Sequence, residues 1–287
     1  MNRRNRILAL AFASLASGCF VVTDLDRFHA TPAALEVPFQ DLNLTIKGLV
    51  THVNHRFEYR VIDANNFVQS RGVLEPTGAV DVTIHVPQAV PRVNGPYRLD
   101  FFADKNHSGG WDGLTEAVDH DHGWRVEPLV NSAGGDPNNG VIEITYVHNT
   151  SFTELNNFPT SPTGAPNPPR DTGSSATIHF AGMQDYMGKL VQVRVAEMPS
   201  GHIAGLYRVP IILKPDFDGI IPGIIDPGVE YRIDVYADAN GNGAYDNPAA
   251  GAGDHGFRLP APSDAKGLNF AFNPKTFPER SVDVGAP

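Results

Sequence analysis

The sequence predicts an all-β protein built as two tandem antiparallel β-sandwiches. Three observations lead there: short stretches in which apolar and polar residues alternate, a high glycine and proline content, and a segment of about 105 residues that is written twice. Alternation with a period of two marks strands that bury one face. Gly and Pro number 28 and 24 among 287 residues, too many for a helical bundle and without the period of collagen. Such a composition suits short strands joined by many turns.

The duplication is clearest from Tyr97 to Asp112 against Tyr231 to Asp246, where eight of sixteen positions are identical at a constant offset of 134. Composition alone gives about one identity over such a length. The same offset carries Gly48 to Gly182 and Arg60-Val61 to Arg194-Val195. Asp121-His122-Gly123-Trp124-Arg125 answers Asp254-His255-Gly256-Phe257-Arg258 at offset 133, and Phe152 answers Phe277 at 125. These matches delimit repeats at 43–152 and 176–277, each large enough for its own core. Residues 153–175 hold five prolines among Asn, Thr, Ser and Gly and read as a semi-rigid linker. Residues 278–287 are a C-terminal tail.

In the first repeat the alternating stretches are Phe57-Tyr59-Val61, Val80-Val82-Ile84-Val86, Tyr97-Leu99-Phe101 and Ile142-Ile144-Tyr146. In the second they are Val191-Val193-Val195, Tyr231-Ile233-Val235 and Leu268-Phe270-Phe272. Six or seven strands in each repeat resemble an immunoglobulin-like or a transthyretin-like sandwich. Strand order is open at this stage.

The first eighteen residues read as a signal peptide. Arg3, Arg4 and Arg6 precede an apolar run from Ile7 to Ala16. Ten residues at about 1.5 Å each reach only about half of a ~30 Å hydrocarbon core. Ala16-Ser17-Gly18-Cys19 follows and resembles the lipobox of bacterial lipoproteins, although Leu15 lies one position too early. Cys19 is the single cysteine of the chain. The resemblance implies lipid on Cys19, cleavage before it, and a cell-envelope protein anchored to a membrane. Phe20, rather than Asp, follows the cysteine, which by the enterobacterial sorting rule points to the outer membrane, periplasmic or surface-facing. Residues 19–42 would be the lipidated tether, with Leu35, Val37 and Phe39 alternating as an edge strand would.

Candidate chemistry follows the Tyr-Arg-(Leu/Ile)-Asp strand of each repeat. With Asp104 as position 1, oxygen donors stand at positions 3 (Asn106), 5 (Ser108) and 9 (Asp112), the Gly110 carbonyl lies at 7, and Gly109 is at 6. The second loop has Asp238, Asn240, Asn242, Ala244 and Asp246 in the same places. Hard oxygens at odd positions around a glycine turn suit Ca²⁺. The pattern resembles the loops of EF-hands and dockerins, and more closely the calcium loops embedded in bacterial surface β-sandwiches. It departs at position 12, where Thr115 and Ala249 replace the bidentate Glu. Asp121 and Asp254 are the candidates for the missing carboxylate, and His122 and His255 for outer hydrogen bonds to the ligands. The resemblance implies up to two structural Ca²⁺ ions. Ordinary turn chemistry produces similar Asp-Asn-Gly runs.

His107, His120 and His122 form a second possible cluster, of a type that suits zinc or copper. Trp111, Trp124, Tyr245 and Phe257 could form a sugar platform or pack into the core. A net charge of −10 argues against nucleic acid as a partner. Nucleophile elbows, phosphate-cradling loops, H-E-x-x-H runs and dinucleotide fingerprints do not occur in the sequence. The leading expectation is therefore a non-enzymatic, membrane-anchored, calcium-stabilised scaffold that meets an unknown protein or glycan partner. A carbohydrate-binding or adhesive module, and a metal-dependent enzyme using the three histidines, are the alternatives.

Overall fold

A computed structural model of the chain describes residues 39–92, 95–111, 121–129, 140–148, 173–242, 254–260 and 268–276. Within them the chain forms two sets of seven strands. The first comprises β1 (Phe39–Lys47), β2 (Arg56–Ile62), β3 (Val68–Leu74), β4 (Val82–Pro91), β5 (Arg98–Asp104), β6 (His122–Val126) and β7 (Val141–Val147). The second comprises β8 (Ser174–Phe180), β9 (Val191–Met198), β10 (Ile203–Val209), β11 (Phe217–Ile225), β12 (Glu230–Ala237), β13 (His255–Pro260) and β14 (Leu268–Phe272). A single 3-10 turn, Met183–Tyr186, joins β8 to β9. No helix among the described residues is long and apolar enough to cross a membrane.

Each set folds as a sandwich. The small sheets have the orders β4-β1-β7 and β11-β8-β14. They face β3-β2-β5-β6 and β10-β9-β12-β13, respectively. This is not the immunoglobulin arrangement, in which the first, second, fifth and fourth strands share a sheet. Nor is the pairing wholly antiparallel: β1 pairs with β7, and β8 with β14, in parallel. β1 takes in Phe39 to Leu42, the last part of the segment expected as tether, and β8 begins at Ser174 inside the segment expected as linker.

β1 buries alternate residues on one face. Leu42, Leu44 and Ile46 are buried. Asn43 and Thr45 point the other way, toward Glu143 and Thr83.

The two larger sheets are not separate. β3 and β10 pair in parallel, Gly205 to Arg71 through Arg208 to Leu74. This makes one eight-stranded sheet, β13-β12-β9-β10-β3-β2-β5-β6. Leu206 belongs to the core of the first sandwich, and its neighbour Tyr207 to that of the second. Across the junction Leu74 and Val73 divide in the same way. Because neighbours on a strand point to opposite faces, the two small sheets cover opposite faces of the shared sheet. Arg71 confirms the close approach, donating from Nη1 to the Pro222 carbonyl of β11 at 2.6 Å. Gly205 lies close under β11, where an added Cβ would stand 2.2 Å from Ile224 Cδ1 and push that side chain aside.

Strand direction then places the loops. β5 runs parallel to β3, and β12 parallel to β10, each through one antiparallel neighbour. Because β3 and β10 are parallel, the loops that leave β5 and β12 emerge at the same edge of the sheet. Five interstrand steps separate them, about 24 Å at ~4.8 Å per step.

Each core takes side chains from the other sandwich, so calorimetric unfolding is expected as one transition. Leu206→Ala, although on a second-sandwich strand, should cost about 2–5 kcal/mol and shift that single transition. Two transitions, of which only one moves, would contradict the shared core.

Candidate metal-binding loops

The repeated motif Asp-His-Gly-(Trp/Phe)-Arg can be followed residue by residue in both sandwiches. Its arginine pairs across the sheet with the aspartate of the Tyr-Arg-(Leu/Ile)-Asp strand: Arg125 Nε lies 2.5 Å from Asp100, and Arg258 Nε 2.7 Å from Asp234. Its aromatic, Trp124 or Phe257, is buried in the core. These rings are therefore packing residues and not a sugar platform. Trp111 stacks edge-on to Phe102 with centroids 5.5 Å apart, and Tyr245 lies outside the described residues.

The motif's aspartate ties down the expected calcium loop. Asp121 Oδ1 accepts the Lys105 N–H at 2.8 Å, and Asp254 Oδ1 accepts the Ala239 N–H at 2.8 Å and the Asn240 N–H at 3.3 Å. From the other side, Asp104 accepts the N–H groups of Ser108 (3.0 Å) and Gly109 (2.8 Å). Asp238 accepts those of Gly241 (2.6 Å) and Asn242 (3.1 Å). Asn106 and Asn240 each accept an N–H two residues on, from Ser108 and Asn242. Ser108 Oγ donates to the Gly110 carbonyl at 3.0 Å. Asp104, Asp121, Asp238 and Asp254 are all at most 2% exposed. The structure thus brings two buried carboxylates onto the backbone of each loop. Asp112, Ala244 and Asp246 lie outside the described residues.

The histidines are grouped differently from the expected His107, His120 and His122. The His107 ring meets His55, with centroids 5.5 Å apart. His122 instead meets His52 at 5.0 Å, and His148 meets His52 at 5.0 Å from a third loop. His120 lies outside the described residues. Burial, then the neighbouring His122, His148 and His55, lowers His52 to about 3. Burial also lowers His55, helped by His107 and opposed by Asp104. In the second sandwich His255 Nδ1 is hydrogen-bonded to the Tyr186 hydroxyl of the 3-10 turn. His52 and His148 were missed because they sit in separate turns far from the Asp motif.

A cleft of about 320 Å³ opens beside the second loop at the same edge, lined by Leu74, Asp81, Lys189, Arg208 and Asp238 among others. Lys189 Nζ donates to the Ala239 carbonyl at 2.7 Å and braces the loop there. Exposed apolar side chains gather at this edge too. Val50, Val80, Val147, Met187, Ile211 and Leu213 lie on loops or strand ends there, and Leu213 is 77% exposed.

No protein-family model matches the chain, and no curated protein is similar to it. Solved structures give distant likenesses. The fimbrial anchor protein Mfa2 from Porphyromonas gingivalis is 10% identical with a TM-score of 0.24, over 70% of this chain and 79% of that one. A protein described as a cell adhesion protein from Parabacteroides distasonis is 12% identical with a TM-score of 0.24, over 88% and 94%. A protein described as an adhesin from Bacteroides ovatus is 8% identical with a TM-score of 0.20, over 82% and 87%. At these values no role is carried across.

The geometry gives one direct test. Asp254→Ala removes the acceptor of two loop N–H groups and should cost about 1–3 kcal/mol in urea unfolding. Asp254→Asn, which keeps an oxygen in place, should lose less. Equal losses would show that the carboxylate acts through charge alone.

Proposed function

We propose that the protein is a non-catalytic scaffold of the bacterial cell envelope, anchored by lipid on Cys19, that presents one loop edge to a protein partner. The observation that supports this is the shared edge itself. Both aspartate loops emerge there, and six of the seven large apolar side chains exposed among the described residues lie there as well. Isolated exposed apolar residues are ordinary, but their concentration at one end marks a surface that gains by being covered. The buried positions of Trp124 and Phe257 favour a protein over a glycan as the partner.

Calcium fits this reading as a structural ion. Each loop has one buried carboxylate and side-chain oxygens within a short turn, and a second buried carboxylate from just before the next strand, the chemistry that Ca²⁺ takes. An ion there would hold the loop in shape for contact and take no part in turnover.

Two measurements test the proposal. Thermal unfolding of the full chain in CaCl₂ should rise above that in EDTA, with about 2.7 kcal/mol per site at a hundred times Kd, and Asp104→Ala with Asp238→Ala should abolish the rise. Unchanged melting in 10 mM CaCl₂ would remove the ion. Separately, a photo-crosslinking residue at Leu213 should trap an envelope protein in intact cells, while one at Thr45 on the outer face of β1 should not. Equal or absent adducts would remove the docking edge.

A further inference from the structure

We propose that His52, His122 and His148 form a three-imidazole binding site for a divalent transition-metal ion, confined to the first sandwich and separate from the calcium loops. One ring nitrogen of each of these residues lies within 4.8 Å of those of the other two. In a tetrahedral zinc site with Zn–N of about 2.05 Å the nitrogens stand about 3.4 Å apart. Small ring rotations of two half-buried side chains, His122 and His148, close that gap.

A second observation points to a ligand. His52 is 1% exposed, and its Nε2 has no hydrogen-bond partner. Its Nδ1 is engaged by His55 Nδ1 at 2.9 Å. Buried nitrogens are nearly always satisfied, and a metal ion satisfies this one. The His55 contact is the kind that fixes the tautomer and orientation of a ligating imidazole. Trp124 packs edge-on against His52 and His148, with centroids 5.6 Å away in each case, and against His122 at 6.2 Å. The indole forms an apolar floor that limits solvent on one side of the three rings. Imidazole nitrogen selects Zn²⁺, Cu²⁺ or Ni²⁺ and not Ca²⁺.

The second sandwich supplies an internal control. Offsets of 134, 133 and 125 carry the three histidines to Tyr186, His255 and Asn273. The equivalence is structural as well: a Cβ on Gly48 would meet His148, and one on Gly182 would meet Asn273. There the Tyr186 hydroxyl bonds His255 Nδ1, so one histidine remains and its nitrogen is satisfied without an ion.

The test uses the full chain, free of any polyhistidine tag and stripped of metal, titrated calorimetrically with ZnCl₂ in excess CaCl₂. One zinc per chain is expected, with about three nitrogen ligands at about 2.0 Å by X-ray absorption. His122→Ala and His148→Ala, with folding verified by circular dichroism, should each weaken binding about 100-fold, and His255→Ala should leave it unchanged. His55→Gln should weaken it about 10-fold. Absence of saturable zinc binding would overturn the proposal. So would unchanged affinity in the folded His122→Ala/His148→Ala double variant, or an equal loss in His255→Ala.

Discussion

The parallel pairing of β3 with β10 is the constraint on which the rest of the molecule depends. Four register pairs, from Gly205–Arg71 to Arg208–Leu74, turn two four-stranded sheets into one of eight. Since adjacent residues on a strand face opposite ways, the junction cannot serve one core without serving the other. Leu206 and Leu74 go to the first sandwich, and Tyr207 and Val73 to the second. Tyr207 also fastens the junction from above, its hydroxyl donating to Glu75 at 3.1 Å. Burial raises the Tyr207 hydroxyl far above its ordinary value, with Glu75 adding to the rise, so it stays a donor at any physiological pH.

From that pairing the functional geometry follows. Had β3 and β10 met antiparallel, the aspartate loops would leave opposite ends of the sheet. Because they meet in parallel, both loops, the cleft beside Asp238 and the exposed apolar side chains share one edge. Covering opposite faces with the small sheets sets the two sandwiches side by side along that edge. A duplication that began as two equal domains thereby yields a single surface with two unequal halves.

How much of this could be read from the sequence depends on how local its cause is. β7 buries one face, through Ile142, Ile144 and Tyr146, and its alternation was plain. β10, Ile203-Ala204-Gly205-Leu206-Tyr207-Arg208-Val209, has a sandwich on each face and is buried nearly throughout, so it carries no alternation. The β3–β10 pairing has no signature in either strand, because parallel neighbours from distant segments are chosen by the whole fold. The aspartate loops were legible because turn and donors lie within nine residues. The histidine group was not, since its members come from two turns and the start of β6, between 52 and 148, and their meeting depends on the sandwich closing.

The two copies of the turn before the second strand show what separates a structural polar group from one awaiting a ligand. Both keep the same frame: Asp81 accepts the Gly48 N–H, and Asp216 the Gly182 N–H, each at 2.9 Å. On that frame the second sandwich sets a phenol against an imidazole, and donor meets acceptor. The first sets imidazole against imidazole, and burial with mutual repulsion keeps His52 uncharged. With the His122 and His148 rings crowded at 5 Å from His52, His52 Nε2 is left without a hydrogen-bond partner, and a buried nitrogen so left costs about 1–3 kcal/mol. Packing alone would favour the arrangement that the second copy adopts. In the first copy a cation held by His52 Nε2 together with His122 and His148 would offset that cost.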